Sequence, residues 1–202
     1  VMAMVEALVS TVALNVLGTM VITVDGKDVD LTPPWPRRSL RQAILDESGI
    51  DYALHPTLEA LDGAVRAAGL RVEPQKTRAQ LIDQLLSTFV EPKIVNPIFL
   101  VDYPVDLSPF AKRKPGEADV VERFEAFAAG VEIGNAFTEL NDPDDQYQRF
   151  LEQAKASVAG DEEAHVVDVD FVEAIQRDVY ELSEADDARR RSGGPAPSSD
   201  GT

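Results

Sequence analysis

Apolar residues recur at helical spacing in several stretches of the first half of the chain. Met4, Leu8 and Val12 fall on one face of a helix at the start of the sequence. Two further helices begin with capping-box patterns at Ser39 and Thr77, where a serine or threonine precedes a glutamine by three residues. The spacing also predicts a helix over residues 57–69. The first ninety or so residues are therefore predicted to be mainly helical.

The pattern changes to that of strands in two places. Residues 20–31 carry a β-branched run, a turn and a short strand, and they predict a hairpin. Residues 98–111 are strand-like but contain prolines, which indicate an irregular or edge position. Residues 124–129 and 131–140 predict two strands joined by a tight turn at Gly130. Helices, strands and then helices follow one another without regular βαβ alternation, and this order favours an α+β fold with an antiparallel sheet flanked by helices.

The last third of the chain is predicted to contain two helices and a polar tail. Asp142 caps a helix that has proline at its first position and runs to Gly160. Asp170 begins the last helix. The residues from Arg189 to Thr202 have a composition that cannot form a core, so we expect a disordered tail.

Composition and charge narrow the classes of function. The formal net charge of −17 disfavours a surface that grips phosphate backbones and suits small cationic substrates or metal ions better. Cysteine is absent, which excludes disulfides, thiolate metal sites and a cysteine nucleophile, and His55 and His165 are the two histidines. Any metal must then be held mainly by oxygen. The sequence shows no apolar run of about eighteen residues and no signal-peptide pattern, so we expect a cytoplasmic protein that does not act in a membrane.

Functional side chains are dense on the second of the two paired strands. Residues 132–142 place carboxylates, an amide and an aromatic ring between apolar residues. Glu132 and Glu139 would lie roughly 23 Å apart on a regular strand, at about 3.3 Å per residue, and on opposite faces. If both serve one site, the strand must bulge between them, and Gly134 beside Asn135 is the natural place. A glutamate on a strand is also commonly a solvated side chain, so composition alone does not decide between the two readings.

Three other features have a functional and an ordinary reading. The basic run from Lys112 to Lys114 is typical of a solvated loop, although such a loop near a catalytic sheet can hold a triphosphate or a nucleic-acid end. His165 in its acidic surroundings is read as a surface imidazole. Trp35 lies among prolines and is read as a packing anchor.

The stretch from residue 132 to residue 143 closely resembles a signature of the lysine–tRNA ligases, and the resemblance covers about residues 2–176. Other segments occur in the same order as in that family. They are Thr32-Pro-Pro-Trp35, Asn96-Pro-Ile-Phe99, Tyr103-Pro104, Ser108-Pro-Phe-Ala-Lys112, Arg123-Phe-Glu125, Gln146-Tyr-Gln-Arg-Phe-Leu151 and Ala159-Gly-Asp-Glu-Glu-Ala164.

The resemblance implies the class II synthetase fold and an enzyme that activates lysine with ATP and Mg²⁺ before transfer to tRNA(Lys). It implies that Glu132 and Glu139 are magnesium ligands, with Glu132 also at the ATP site. It further implies that Asn135, Phe137 and Glu139 belong to the lysine pocket. A buried carboxylate at Glu139 would pair with an ammonium, whereas the related aspartate enzymes carry an arginine at the matching place. Members of the family are usually homodimers.

Two departures from the family pattern bear on activity. Motif 2, with its ATP-holding arginine, is expected just before residue 1, and motif 3 is expected after residue 176, where the chain instead reads Arg177-Asp-Val-Tyr180. Without those cations the phosphate charge in adenylate formation lacks support, so we expect the isolated chain to be inactive. We interpret residues 1–176 as an incomplete class II catalytic domain and residues 177–202 as a divergent helix end with a disordered polar tail.

Three readings of this pattern remain open. The favoured one is a partial copy of a ligase, which the opening within a helical pattern favours because no start signal precedes it. The second is a degenerate paralogue that binds lysine or a partner without catalysis. The third is a lysine-transferring enzyme that modifies a protein.

Overall fold

A computed structural model describes residues 1–158 and 167–178, which fall into two compact units. The first unit contains residues 1–139, and the second contains residues 140–158 together with 167–178. The second unit is small, and the predicted site residues all belong to the first.

The described residues of the first unit form four α-helices, and three of them begin at side-chain caps. Their bounds are α1 (Met2–Leu17), α2 (Leu40–Ser48), α3 (Leu58–Ala67) and α4 (Arg78–Leu85), and α4 continues into wider and tighter turns over Leu86–Val90 and Glu91–Lys93. The side chains of Ser39, Thr57 and Thr77 each accept a hydrogen bond from the backbone N–H three residues later, at 3.2 Å. Each cap satisfies an N–H group that the first helical turn leaves unpaired. The predicted caps at Ser39 and Thr77 are confirmed.

Six strands form two sheets in the described part of the chain. The hairpin consists of β1 (Val21–Val24) and β2 (Lys27–Asp30), and the larger sheet has the order β3 (Arg37–Ser39), β4 (Ile98–Pro104), β5 (Val120–Ala128) and β6 (Val131–Phe137). All neighbours are antiparallel except β3 and β4, which are parallel. The fold is α+β, as predicted.

The structure confirms one strand prediction and corrects another. The prolines of β4 indicated an irregular or edge position, and the irregular alternative is confirmed: the register of β4 shifts between Val101 and Tyr103, while the strand lies inside the sheet between β3 and β5. It can do so because Pro104 is its last residue and the missing N–H interrupts no inner ladder. The predicted strand over residues 131–140 is regular only as far as Phe137.

Two bulges change which side chains share a face of the larger sheet. In β4 the register shifts between Val101 and Tyr103, around Asp102, whose φ is 60°. In β6 the register shifts so that Ala126 pairs with Gly134 but the next residue of β5 pairs with Glu132. One inserted residue reverses the alternation of every side chain beyond it. Both strands therefore present different residues to the two faces than strict alternation would give.

Each face of the sheet carries its own apolar cluster. On one face, α2 and α4 pack with sheet residues that include Leu100, Val121 and Phe127. On the other face, the ring of Trp35 packs 5.4 Å from that of Phe99, next to Phe124, and α1 residues contribute to this cluster. Trp35 is buried, and its indole N–H donates to Leu31 O at 3.1 Å, so the prediction of a packing anchor is confirmed.

The opening helix forms as predicted, but its apolar stripe faces outward. Met4, Leu8 and Val12 are 66%, 62% and 52% exposed, whereas Glu6 and Ser10 are buried. Both buried side chains contact backbone groups of the loop beneath the helix. No helix in the described ranges combines the length and the apolar character needed to cross a bilayer.

The second unit contains α5 (Pro143–Val158) and a helix over residues 169–178, here α6. Asp142 Oδ1 accepts from the N–H groups of Asp144 and Asp145, at 3.0 and 3.1 Å, which confirms the predicted cap. The last helix begins earlier than predicted: Asp168, rather than Asp170, supplies the capping oxygen. Gly160, His165 and the predicted tail from Arg189 lie outside the described residues.

Candidate functional site

The predicted site residues lie on the edge strand of the larger sheet. Register pairs Phe137 with Arg123, Asn135 with Glu125 and Glu132 with Phe127. Paired residues project to the same face, so these three side chains of β6 share one face of the sheet.

The bulge at Ile133 is what brings Glu132 to that face. On a regular strand, Glu132 and Asn135 would project to opposite faces of the sheet, because they are three positions apart and side chains alternate with a period of two. The inserted residue restores the shared face. The bulge predicted beside Gly134 is confirmed, and Gly134 flanks it directly.

Glu139 lies further along the same segment, outside the regular strand. It pairs with Ala111 in an isolated antiparallel bridge, and Thr138 O accepts from Lys112 N at 2.7 Å. The side chain of Glu139 is exposed in this structure, in contrast to the buried carboxylate that sequence reasoning assumed. Glu132 and Phe137 are also exposed, so β6 presents its functional groups to solvent.

A buried carboxylate that the sequence reasoning assigned no role lies next to these residues. Glu125 is in the middle of β5, and its side chain is only 8% exposed. The hydroxyl of Tyr103 donates to Glu125 Oε2 at 2.7 Å, and Arg123 donates to Oε1. The bulge at Asp102 in β4 places Tyr103 on this face. A hydrogen-bonded cluster of Tyr103, Arg123 and Glu125 therefore lies on the same face of the sheet, beside the strand that carries the predicted site.

Arg123 is the most connected member of this cluster. Its guanidinium lies over the ring of Tyr103, with Cζ 4.8 Å from the ring centroid. It donates hydrogen bonds to three neighbouring segments. The acceptors are Leu107 O at 2.8 Å, Ser108 Oγ at 2.9 Å, Asn135 Oδ1 at 3.3 Å and the carboxylate of Glu125.

Burial and negative neighbours perturb two of the carboxyl groups. Burial raises the pKa of Glu125, and the charge of Glu132 acts in the same direction, while the Tyr103 hydrogen bond and Arg123 oppose the rise. Burial also raises the pKa of Glu91, with further contributions from Asp83 and from the glutamates of β5 and β6. Glu132 thus lies close enough to Glu125 for mutual repulsion, which a bound cation would relieve.

The carboxylates fit a metal site that the protein completes only in part. Within the described residues, no three Asp, Glu or His side chains converge as a complete set of ligands. Mg²⁺ characteristically takes one or two carboxylates and fills its other positions with water and substrate phosphates. Glu132 with the neighbouring Glu125 meets that requirement, whereas Glu139 lies seven positions from Glu132, too far along the segment to share one ion directly.

Two charged side chains of the basic loop, Arg113 and Lys114, make contacts within the chain. Lys114 Nζ lies 3.0 Å from Asp102 Oδ1 and 2.9 Å from Glu117 Oε1, and Arg113 donates to Ala118 O. These contacts favour the reading of a solvated loop over that of a triphosphate-binding loop.

A cavity of about 300 Å³ lies elsewhere in the first unit. Its lining combines the hairpin of β1 and β2, the turn after α4 and the turn between β5 and β6, and it includes Lys27, Ser87, Glu91 and Gly130. None of the predicted site residues lines it. The exposed side chains of Glu132, Phe137 and Glu139 thus lie outside this cavity.

Sequence reasoning missed Tyr103, Arg123 and Glu125 as members of the site. The alternation Arg123-Phe-Glu125 on a strand was a usable signal, because two oppositely charged residues at i and i+2 share a face. Arg123 and Glu125 contact Tyr103 because the bulge at Asp102 places all three on one face, and no local sequence pattern predicts this bulge.

Comparison with known proteins identifies the family of the chain and agrees with its fold. The chain belongs to the class II tRNA synthetases, because the family model described as class II (D, K and N) matches residues 1–181. This match extends five residues past residue 176, where the resemblance described in the sequence ends.

Curated relatives of the chain are named as lysine–tRNA ligases. The protein from Chloroflexus aurantiacus is 52% identical over 175 residues, which cover 87% of this chain and 36% of that protein. Those from Moorella thermoacetica and Thermotoga maritima are each 46% identical over 175 residues, covering 87% of this chain and 36% and 34% of the relatives. The chain thus spans about a third of the length of the curated relatives that it matches.

Proposed function

We propose that this chain supplies the lysine- and ATP-binding strands of a lysine–tRNA ligase, which activates lysine with ATP and Mg²⁺ and transfers it to tRNA(Lys). The observation that carries the proposal is the shared face of Glu132, Asn135 and Phe137 beside buried Glu125. The names of the relatives supply the amino acid. The complete enzyme is proposed to be a cytoplasmic homodimer.

The roles divide along β6 according to distance. Glu132, with Glu125 beside it, would hold Mg²⁺, which would supply positive charge to offset the charge of the ATP phosphates. Asn135, Phe137 and Glu139 contact lysine. An exposed carboxylate at Glu139 is a suitable partner for an ammonium group once substrate covers it.

The second role predicted for Glu139, as a metal ligand, needs a separate ion. A spacing of seven residues corresponds to roughly 23 Å of extended chain. A Mg²⁺–oxygen bond is about 2 Å, so one ion cannot contact both Glu132 and Glu139 unless the segment folds back. Titration with Mn²⁺ separates these cases, since one or two bound ions per chain give different stoichiometries.

The isolated chain of 202 residues is proposed to be inactive in adenylate formation. The arginines that motifs 2 and 3 of the family contribute are not among its matching segments. Developing phosphate charge is usually the largest electrostatic demand on such a site. We expect no lysine-dependent exchange of pyrophosphate into ATP by the isolated chain, above controls with aspartate or arginine; lysine-specific exchange would contradict this expectation.

The function itself is tested by grafting residues 1–176 into the matching stretch of the Chloroflexus aurantiacus lysine–tRNA ligase. The chimera is expected to support pyrophosphate exchange with lysine but not with aspartate. A chimera that folds and binds ATP but does not use lysine would overturn the proposal. Glu132→Gln in the same chimera should weaken Mg²⁺-dependent ATP binding. Glu59→Gln, at an exposed position of α3, provides a matched control.

The lysine assignment has a sharper test at Glu139. Glu139→Arg in the chimera places a cation where the ammonium should lie, and like charges repel. Lysine activation should be lost while ATP affinity is kept. Retained lysine activation in this variant would show that Glu139 does not recognise the side chain.

A further inference from the structure

The guanidinium of Arg123 contacts three segments of the chain, two of which, β5 and β6, are already paired in the sheet. It reaches Asn135 on β6, Glu125 on its own strand and the turn at Leu107–Ser108. Four of the five N–H donors of an arginine are accounted for by these contacts. The side chain is 17% exposed: its bonds to Glu125, Leu107 and Ser108 are partly buried, whereas the bond to Asn135 is exposed.

The contact with Asn135 fixes which end of its amide faces the site. Arg123 Nε donates to Asn135 Oδ1 at 3.3 Å, which leaves the Nδ2 group directed towards Glu125 Oε1, at 3.5 Å. An amide free of such a donor could rotate and exchange its donor for its acceptor. Arg123, which lies on the neighbouring strand β5, therefore sets the orientation of the Asn135 amide.

The same guanidinium restricts Glu125. One carboxylate oxygen accepts from Arg123 and the other accepts from the Tyr103 hydroxyl at 2.7 Å. The Tyr103 ring also carries the guanidinium on its face. The carboxylate is thus held at both oxygens in a partly desolvated environment.

We propose that Arg123 is the positioning residue of the site: it sets the amide orientation of Asn135 and the carboxylate of Glu125 and links both to the Leu107–Ser108 turn. The inference rests on the proposed function only in naming Asn135 and Glu125 as site residues. Removing an outer partner of this kind typically costs 10- to 100-fold in metal affinity or activity. A lysine at position 123 keeps the charge but cannot bind all three segments, because its donors radiate from one nitrogen.

The test uses the full 202-residue chain with the side-chain amide of Asn135 and the carboxyl carbon of Glu125 as NMR probes. In wild-type protein we expect two distinct Nδ2 proton signals for Asn135, displaced from the position of a free amide. Arg123→Lys should move them to the free-amide position and shift the Glu125 signal, while backbone amides of α2 and α4 stay in place. Unchanged Asn135 and Glu125 signals in this variant would overturn the proposal.

Two further variants keep the test decisive if Arg123→Lys does not fold. Ser108→Ala removes one acceptor of the guanidinium and leaves its charge, so a smaller shift of the Asn135 signals in the same direction is expected. No shift in this variant would count against the link to the turn. Arg41→Lys makes the same substitution at an exposed pair with Asp51 and should leave the Asn135 signals unchanged.

Metal binding separates this inference from the proposed function. Mn²⁺ should broaden signals near Glu132 in the wild-type chain, with an affinity about tenfold or more lower in Arg123→Lys. If Mn²⁺ has no effect on the wild type, the metal assignment fails. The Asn135 signals then still decide the role of Arg123, since they are read without any ligand.

Discussion

Helix α1 and the face shared by β4, β5 and β6 both bury polar side chains, but they do so for different purposes. In α1, Glu6 Oε1 accepts from the backbone N–H of Trp35 at 3.2 Å, and the Ser10 hydroxyl lies within donating distance of two carbonyl oxygens, Glu6 O at 2.7 Å and Leu31 O at 3.1 Å. The buried polar groups of the helix therefore satisfy the backbone of a loop. On the sheet, Arg123 and Glu125 satisfy each other.

This difference explains why the two regions present opposite surfaces. Leu31 and Trp35 of this loop are buried, and their backbone groups need partners. Glu6 and Ser10 contact these groups from the inward face of α1, which leaves Met4, Leu8 and Val12 outside. On the sheet, the buried polar side chains pair with one another, and the functional side chains of β6 remain exposed to solvent. An apolar stripe shows that a helix forms, but the partners required beneath the helix decide which stripe faces inward.

The largest expected effect comes from breaking the buried pair on the sheet. Arg123→Ala leaves the carboxylate of Glu125 buried without its cation, which should lower the free energy of unfolding by about 3 kcal/mol. Urea denaturation monitored by circular dichroism measures the loss. Arg41→Ala, at an exposed pair with Asp51, should cost only about 0.5 kcal/mol. Equal losses in the two variants would remove the distinction between the buried and the exposed pair.

The next effect tests the polar side of α1. Glu6→Ala leaves the N–H of Trp35 unpaired in a buried position, which should cost about 1–3 kcal/mol in the free energy of unfolding. Glu6→Gln keeps an acceptor oxygen of the same shape and should restore most of that stability. If the glutamine variant is as unstable as the alanine variant, the contact with Trp35 is not what Glu6 contributes.

A smaller effect depends on pH at the exposed pair between α2 and the turn that follows it. The hydrogen bonds from Arg41 lower the pKa of Asp51 below its ordinary value. Because the folded pKa is the lower one, the stabilisation is present above the unfolded pKa of about 4 and is lost as pH falls through the folded pKa. The stability difference between wild type and Asp51→Asn should therefore shrink below pH 4 in acid-dependent urea titrations. A difference that stays constant down to pH 2 would contradict the lowered pKa.

The smallest effect is expected on the outward stripe of α1. Leu8→Lys should change the free energy of unfolding by no more than about 0.5 kcal/mol, because the leucine is already 62% exposed. Leu40→Ala, at a fully buried position of α2, provides the contrast and should cost about 2–5 kcal/mol. Thermal unfolding of both variants measures the difference. A large loss in Leu8→Lys would show that the α1 stripe is covered in solution.

Much of the fold could be read from local patterns. The caps at Ser39 and Thr77, the hairpin near residues 21–30 and the turn at Gly130 each depend on chemistry within a few residues. The predicted bulge near Gly134 also followed from local reasoning, because two glutamates of one site could not otherwise share a face. The interior position of β4 could not be read in this way, since it depends on a short parallel strand about sixty residues earlier.

The candidate site could be predicted only in part for the same reason. Residues 132–139 were found because they are adjacent in the sequence, and their roles remain proposals. Tyr103 and Glu125 were not found because they meet across two strands, and the Asp102 bulge decides that they share a face.

The sequence by itself determined where helices and strands form, the oxygen-rich character of the site and the family to which the chain belongs, because these depend on residue type and short-range spacing. Only the tertiary structure decided that α1 turns its apolar stripe outward and that Tyr103, Arg123, Glu125 and Asn135 form one network. The physical reason is that buried polar groups must find partners, and those partners are supplied by segments distant in the sequence.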